Sequence, residues 1–292
     1  MLGSHFRRLL TLREIPFAAT DYAEVDITNL EHVQHYAAKE KFSHIINCAA
    51  YTQVDKAETD KEKAFLINAK GPQNLGIAAR RINAQVMHFS TDYVFDGSAS
   101  IPYKEEDPCS PTGVYASSKL EGEHLLFEEL PEACVIRTSW LFGYPGNNFV
   151  NTMLRLMKDK ESLRVVQDQQ GKPTYCQDLV EAAMNLLDNE GIFHFANSRP
   201  TTWHGFAEEI RIQALDLGFP IRATHVEPIS SSEYPTPAKR PVYSVLNTFK
   251  IEKTLGIAPR PWQEALRDYL IHYKRFQELE EVTNYDRTTT SV

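Results

Sequence analysis

Several absences bound the reading before any motif is considered. No apolar run approaches the roughly 20 residues that a membrane-spanning helix requires, and the N-terminus carries no secretory h-region. No cluster of histidine, cysteine and carboxylate has metal-ligand spacing. The four cysteines, Cys48, Cys109, Cys134 and Cys176, are widely scattered and read as reduced thiols. Positive charge is also short: a formal net charge of -8 argues against a nucleic-acid surface, while leaving room for a local basic pocket facing a phosphorylated ligand. The expectation is a cytoplasmic protein with no membrane or nucleic-acid partner and no bound metal. Repeats, heptads and low-complexity blocks are missing too. The 292 residues therefore suit one large α/β core, or a nucleotide domain with a smaller substrate domain.

The absence with the largest consequence is a glycine loop. Nowhere does G-x-G-x-x-G occur, and Gly71 to Gly76 sits in a helical stretch rather than after a strand. A nucleotide-binding βαβ unit begins with a strand and a glycine turn that sets a pyrophosphate at a helix N-terminus. Here Met1 to Phe6 leads directly into Arg7-Arg8-Leu9-Leu10, which reads as a helix already under way.

What is present is a reactive constellation between Ser90 and Lys119. The apolar run Gln85 to Phe89 ends in Ser90-Thr91-Asp92, so two hydroxyls and a carboxylate emerge where a buried strand meets a loop. The segment Val114 to Leu130 has helical composition, and on it Tyr115 and Lys119 lie four residues apart on one face. A phenol is a weak acid, with a pKa of about 10, and a neighbouring ammonium would lower it so that the tyrosine can exchange a proton with a substrate oxygen.

Further runs carry a family pattern. Asn47-Cys48-Ala49-Ala50-Tyr51-Thr52-Gln53-Val54-Asp55-Lys56-Ala57-Glu58, Arg137-Thr138-Ser139-Trp140 and Tyr234-Pro235-Thr236-Pro237-Ala238-Lys239-Arg240-Pro241 join the Ser-Thr-Asp and Tyr-x-x-x-Lys segments. Together they resemble the dTDP-4-dehydrorhamnose reductases of the extended short-chain dehydrogenase/reductase superfamily, and the likeness runs from Met1 to about Phe276. It implies NAD(P)H-dependent reduction of the C4 ketone of a dTDP-sugar, dTDP-4-dehydro-L-rhamnose, with NADPH or NADH as cofactor.

The same resemblance implies roles for particular residues. Tyr115, Lys119, Thr91 and Asp92 would be catalytic. Leu2, Gly3, Asp26, Ile27, Ala49, Ala50, Tyr51 and Thr52, with Tyr115 and Lys119, would line the cofactor. Val54, Thr91, Asp92, Trp140 and Arg240 would meet the sugar nucleotide. Met1-Leu2-Gly3 looks like the last three positions of the family's Gly-x-x-Gly-x-Leu-Gly, so the native start is expected upstream, with a short N-terminus lacking the strand as the alternative. Asp21, near where an acid would meet the adenosine ribose, would favour NADH.

The architecture expected is a Rossmann-like doubly wound parallel sheet with a smaller C-terminal substrate domain: residues 1–140 for the cofactor, 141–276 mainly for the substrate with segments returning to the first domain, and 277–292 as a disordered tail. Phe17-Ala18-Ala19-Thr20 is a candidate strand, and Glu62 to Ile82 one long helix. A homodimer is one assembly open to the chain. Two other functions share the scaffold. One is a dehydratase or epimerase, although the glutamate that the resembling dehydratases place after Thr-Asp is Tyr93 here. The other is a non-catalytic subunit resembling the regulatory β subunit of methionine adenosyltransferase.

Overall fold

The computed structural model describes residues 1–40 and 42–289, with side chains described through residue 278. The chain begins as α1 (Leu2–Leu12), followed by α2 (Leu30–Glu40), β1 (His44–Asn47), α3 (Val54–Ala57), α4 (Lys61–Phe65), a π-helical turn (Leu66–Lys70) and α5 (Gly71–Ile82). Next come β2 (Gln85–Thr91), α6 (Val114–Glu129) and β3 (Cys134–Thr138), then β4 (Leu141–Phe142), α7 (Phe149–Asp159), β5 (Ser162–Val166), β6 (Gln170–Gly171) and β7 (Thr174–Tyr175). The remainder holds α8 (Cys176–Met184), β8 (Gly191–Phe195), β9 (Thr201–Thr202), α9 (Trp203–Asp216), β10 (His225–Ile229), α10 (Phe249–Leu255) and α11 (Trp262–Thr289).

The main sheet is parallel, in the order β1-β2-β3-β8. Alternate side chains of each strand face opposite sides, and both sides are covered, which is why these strands read as continuous apolar runs. Val86 and Val135 pack under α5 and α6 with Ala79, Leu126 and Leu130. Met87, Phe89, Cys134 and Ile136 face α1 and α8, against Leu2, Phe6, Leu179 and Ala183. Leu126 and Leu130 are fully enclosed, each contributing about 1.5–3 kcal/mol of burial.

The strand reading of Phe17–Thr20 is corrected. Those residues are irregular and exposed, and among the described residues they pair with no strand, although β1 stands at the edge of the sheet. A second body packs on Phe142, Met153, Met157, Phe206, Trp262 and Tyr269, contributed by α7, α9, α11 and the short β4 strand, beside the β5–β10 pair. α11 continues past Gln277 to Thr289 rather than ending in an irregular tail, since Gln277-Glu278-Leu279-Glu280-Glu281 are good helix formers. Residues 290–292 of that expected tail lie outside the described residues. Asn29 caps α2 by accepting from the amides of Glu31 and His32 at 3.0 and 3.2 Å.

Candidate active site

The reactive helix is placed by two other elements. Glu58, just past α3, accepts from the Val114 amide at 2.9 Å and so caps α6 one residue before Tyr115. From the other side, the π-turn brings the main-chain oxygen of Asn68 onto Gly122, where a Cβ would stand 2.0 Å from it. The Asn68 side chain then acts as a clamp. It accepts from the Tyr51 amide at 2.8 Å, and donates to Tyr51 O and to Ser118 Oγ, both at 3.0 Å. The Ser118 hydroxyl returns to Tyr115 O at 2.8 Å. The expected long helix is thus continuous but carries a π-turn at the point where it touches the site, a common place for one.

Strand β2 delivers the other half. Thr91 is the last residue of β2, and its hydroxyl accepts from the Tyr93 amide at 3.2 Å and donates to Asp92 Oδ1 at 3.1 Å. Burial pushes the Tyr115 phenol up to about 12, while the Thr91 hydroxyl beside it favours ionisation. Burial likewise raises Asp92 to about 7, against the pull of the Ser244 and Thr91 hydroxyls. Ser90 Oγ and Asp92 Oδ2 are buried with no hydrogen-bond partner. Such unpaired buried oxygens suit a polar ligand.

Lys119 is 2% exposed and donates to Phe89 O at 2.6 Å, with His88 Nε2 at 3.2 Å. Burial lowers it to about 8, against the pull of Glu123 on the same helix. Its amine is therefore turned toward β2, and the effects that move the Tyr115 phenol are burial, Thr91 and Asp92.

A small hollow opens between Val54, Glu58, Tyr93, Tyr115 and Ala238. Arg240 stands beside it, its guanidinium gripping Asp55 through two hydrogen bonds, one of them 2.8 Å between Nη2 and Oδ2, and holding that carboxyl below its usual range. The Tyr93 hydroxyl also faces Arg240, and burial drives that phenol far above its ordinary value. Val54 and Tyr115 thus line one hollow, with Thr91 and Asp92 next to the Tyr115 phenol and Arg240 facing Tyr93, while Lys119 is turned toward β2.

Other expected residues stand elsewhere. Trp140, in a left-handed backbone conformation, stacks on Trp203 with ring centroids 3.6 Å apart, and Gly171 lets the indole lie against the backbone. Tyr51 is turned inward, donating to Asp60 Oδ2 at 2.9 Å with its backbone held by Asn68, whereas Ala49, Ala50 and Thr52 are exposed. Ile27 packs against Gly71, while Asp26 accepts from Thr28, backbone and hydroxyl, as a local cap. Asp21 holds a turn by accepting from the Ala23 amide at 2.8 Å. Sequence reasoning missed Trp203, Asp55 as the partner of Arg240, and His88. Trp203 opens α9 directly after Thr202, whose hydroxyl accepts from the Gly205 amide and so signals a helix start.

A nicotinamide cofactor fits the residues present. α1 starts at the carboxyl end of the sheet, with Gly3 over Cys48 and Met1 against Gly146, and no side chain caps its N-terminus. Such an end attracts a phosphate. Small exposed residues follow β1, and the orphaned oxygens of Ser90 and Asp92 end β2.

A parallel sheet covered on both faces, with tyrosine and lysine one helical turn apart beside a strand-end Thr-Asp, defines the short-chain dehydrogenase/reductase class in its extended, sugar-nucleotide form. The family model described as RmlD substrate binding domain matches residues 1–275. The chain is 44% identical to a dTDP-4-dehydrorhamnose reductase of Aggregatibacter actinomycetemcomitans over 258 residues (86% of this chain, 88% of the relative), and 38% identical to that of Escherichia coli K12 over 259 residues (86% of each). A crystal structure of a dTDP-4-dehydrorhamnose reductase from Clostridium acetobutylicum superposes with a TM-score of 0.89 at 39% identity, covering 94% of this chain and 96% of the other. One from Bacillus anthracis, in complex with NADP, gives 0.87 at 35% identity over 93% and 95%. The chain belongs to the dTDP-4-dehydrorhamnose reductase family.

Proposed function

We infer that this chain reduces the C4 ketone of dTDP-4-dehydro-L-rhamnose to dTDP-L-rhamnose with NADPH, and that Tyr115 is the proton donor. The observation that carries the assignment is the half-buried Tyr115 phenol beside the Thr91 hydroxyl at the end of β2, in a chain whose relatives are dTDP-4-dehydrorhamnose reductases. The N-terminus of α1, with Leu2 and Gly3, and the loop Ala49 to Thr52, together with Lys119, would hold the nicotinamide cofactor, which would supply the hydride when bound.

The chain's own residues handle the proton. With its pKa near 12 the phenol of Tyr115 stays protonated at neutral pH. It is still a far stronger acid than the alcohol being formed, so transfer of its proton to the developing alkoxide runs downhill. Thr91 donates to the same oxygen as charge grows there. Asp92, poised near neutrality, meets the sugar as acceptor or donor according to its protonation. Val54 flanks the deoxysugar, and Arg240, oriented by Asp55, faces the diphosphate.

The dehydratase reading needs an acid able to expel water in the position of Tyr93. That position holds a phenol, raised above its ordinary value by burial, where the resembling dehydratases carry a carboxyl. The test is consumption of NADPH by the purified chain with the keto sugar and identification of the product. dTDP-L-rhamnose is expected; no sugar-dependent oxidation, or a dehydrated product, would overturn the assignment.

A further inference from the structure

His88 lies in the middle of β2, wholly enclosed, and plays no part in the chemistry above. Its two ring nitrogens nevertheless join a chain of hydrogen bonds whose direction can be worked out from one end. The Ala49 amide donates to Asn47 Oδ1 at 3.0 Å, and a backbone N–H can only donate, so the oxygen of that side chain is fixed. Asn47 Nδ2 must then be the donor toward His88 Nδ1, 3.0 Å away. Nδ1 is therefore an acceptor, and in a neutral imidazole the single ring proton sits on Nε2.

Nε2–H points at Lys119 Nζ, 3.2 Å distant. A neutral amine accepts this bond through its lone pair and still donates to Phe89 O at 2.6 Å. An ammonium has no lone pair and would place donor against donor. Resting on the reductase reading, we propose that His88 is a positioning residue of the reaction, whose Nε2–H engages the Lys119 lone pair, favours the uncharged amine over the ammonium, and ties the charging of Lys119 to the loop that starts at Ala49. Charging Lys119 takes up one proton at Nζ, moves the imidazole proton from Nε2 to Nδ1, and turns the Asn47 amide so that Oδ1 accepts from Nδ1. That turn releases the Ala49 N–H toward whatever occupies the cofactor loop.

The charged and titratable neighbours are consistent with this wiring. On α6, Glu123 favours a charged Lys119, but it is already paired with Arg137 of β3 at 2.6 Å. Tyr115 on α6 and Asp92 after β2 are both held toward their neutral forms by burial. β1 and the π-turn present amides, Asn47 and Asn68, and α5 presents alanines. Burial depresses both Lys119 and His88.

The test needs no turnover and so stands apart from the reductase assignment. The tautomer of His88 is read by 15N spectra of the unliganded, imidazole-labelled chain, with His88→Gln used to assign the signal, and the titration of Lys119 by 13C-labelled lysine, assigned with Lys119→Met. Asn47→Asp keeps the Ala49 bond but offers an acceptor to Nδ1, which reverses the wire. Expected, at a pH above the Lys119 midpoint, are an Nε2–H tautomer in the native chain and an Nδ1–H tautomer in Asn47→Asp, with the Lys119 midpoint raised in that variant by about one pH unit or more. An Nδ1–H tautomer in the native chain at that pH overturns the proposal. So does a Lys119 midpoint that Asn47→Asp leaves in place. Should Asn47→Asp fail to fold, the native tautomer alone decides.

Discussion

The Asn68 carbonyl of the π-turn and Gly122 of α6 meet at a distance that admits no side chain: a Cβ on residue 122 would come within 2.0 Å of that oxygen. Gly122 lies on the same helix as Tyr115, so the contact sets how deep α6 sits. Gly122→Ala should therefore push α6 away from the clamp that Asn68 makes with Tyr51 and Ser118. The expected cost is about 1–3 kcal/mol of stability. Turnover should fall by about a hundredfold through misplacement of the phenol. Denaturant unfolding and kcat/KM measured together check it, and a variant with native activity would show that the helix has other room to settle.

Burial of Asp92 makes a pH-dependent claim. Its carboxyl is raised from 3.8 to about 7, so the folded chain holds that proton more tightly than the unfolded chain does. Stability from this group is complete below about pH 4 and is lost as pH rises through about 7. The displacement corresponds to at most about 4 kcal/mol at alkaline pH. Asp92→Asn, which cannot ionise, should unfold at higher denaturant than the native chain at pH 8, and the advantage should shrink toward pH 5. Unfolding curves at the two pH values give the answer; an advantage that is flat or inverted contradicts the burial account.

Arg137 and Glu123 form an ion pair at 2.6 Å with side chains 3% and 1% exposed, and Arg137 also lies over the Phe95 ring at 5.3 Å. Removing one member leaves the other charged and unpaired in the core, so Arg137→Met should cost about 3–5 kcal/mol. Arg137→Met combined with Glu123→Met should recover most of that loss. A double variant as unstable as the single one would mean that the helix–strand geometry, rather than charge, is what the pair maintains.

Much of this site could be read from spacing alone. Tyr115 and Lys119 are one helical turn apart by number, and Thr91 and Asp92 end an apolar run, so their meeting requires only that helix and strand form where composition puts them. The parts that were not legible depend on neighbours. The π-turn at Leu66–Lys70 arises where α6 crosses it at Gly122, which periodicity along one helix does not reveal. Phe17–Thr20 has strand composition, but a strand exists only as one side of a ladder, and β1 is the edge of this sheet. His88 in an apolar strand reads as core; its link to Lys119 needs two side chains 31 residues apart to meet. Lys119 itself, placed to lower the Tyr115 phenol by spacing, turns instead toward Phe89 O and His88.

The central claim is that Tyr115 gives its proton to the sugar oxygen, and Tyr115→Phe tests it most directly. The phenyl ring keeps its packing against Tyr51 and Val114, and the α6 cap at Val114 does not involve the hydroxyl. Sugar-dependent NADPH oxidation by this variant should fall to background, while NADPH binding, followed by nicotinamide fluorescence, stays close to that of the native chain. Turnover retained in Tyr115→Phe would contradict the account and move the proton donor elsewhere in the hollow.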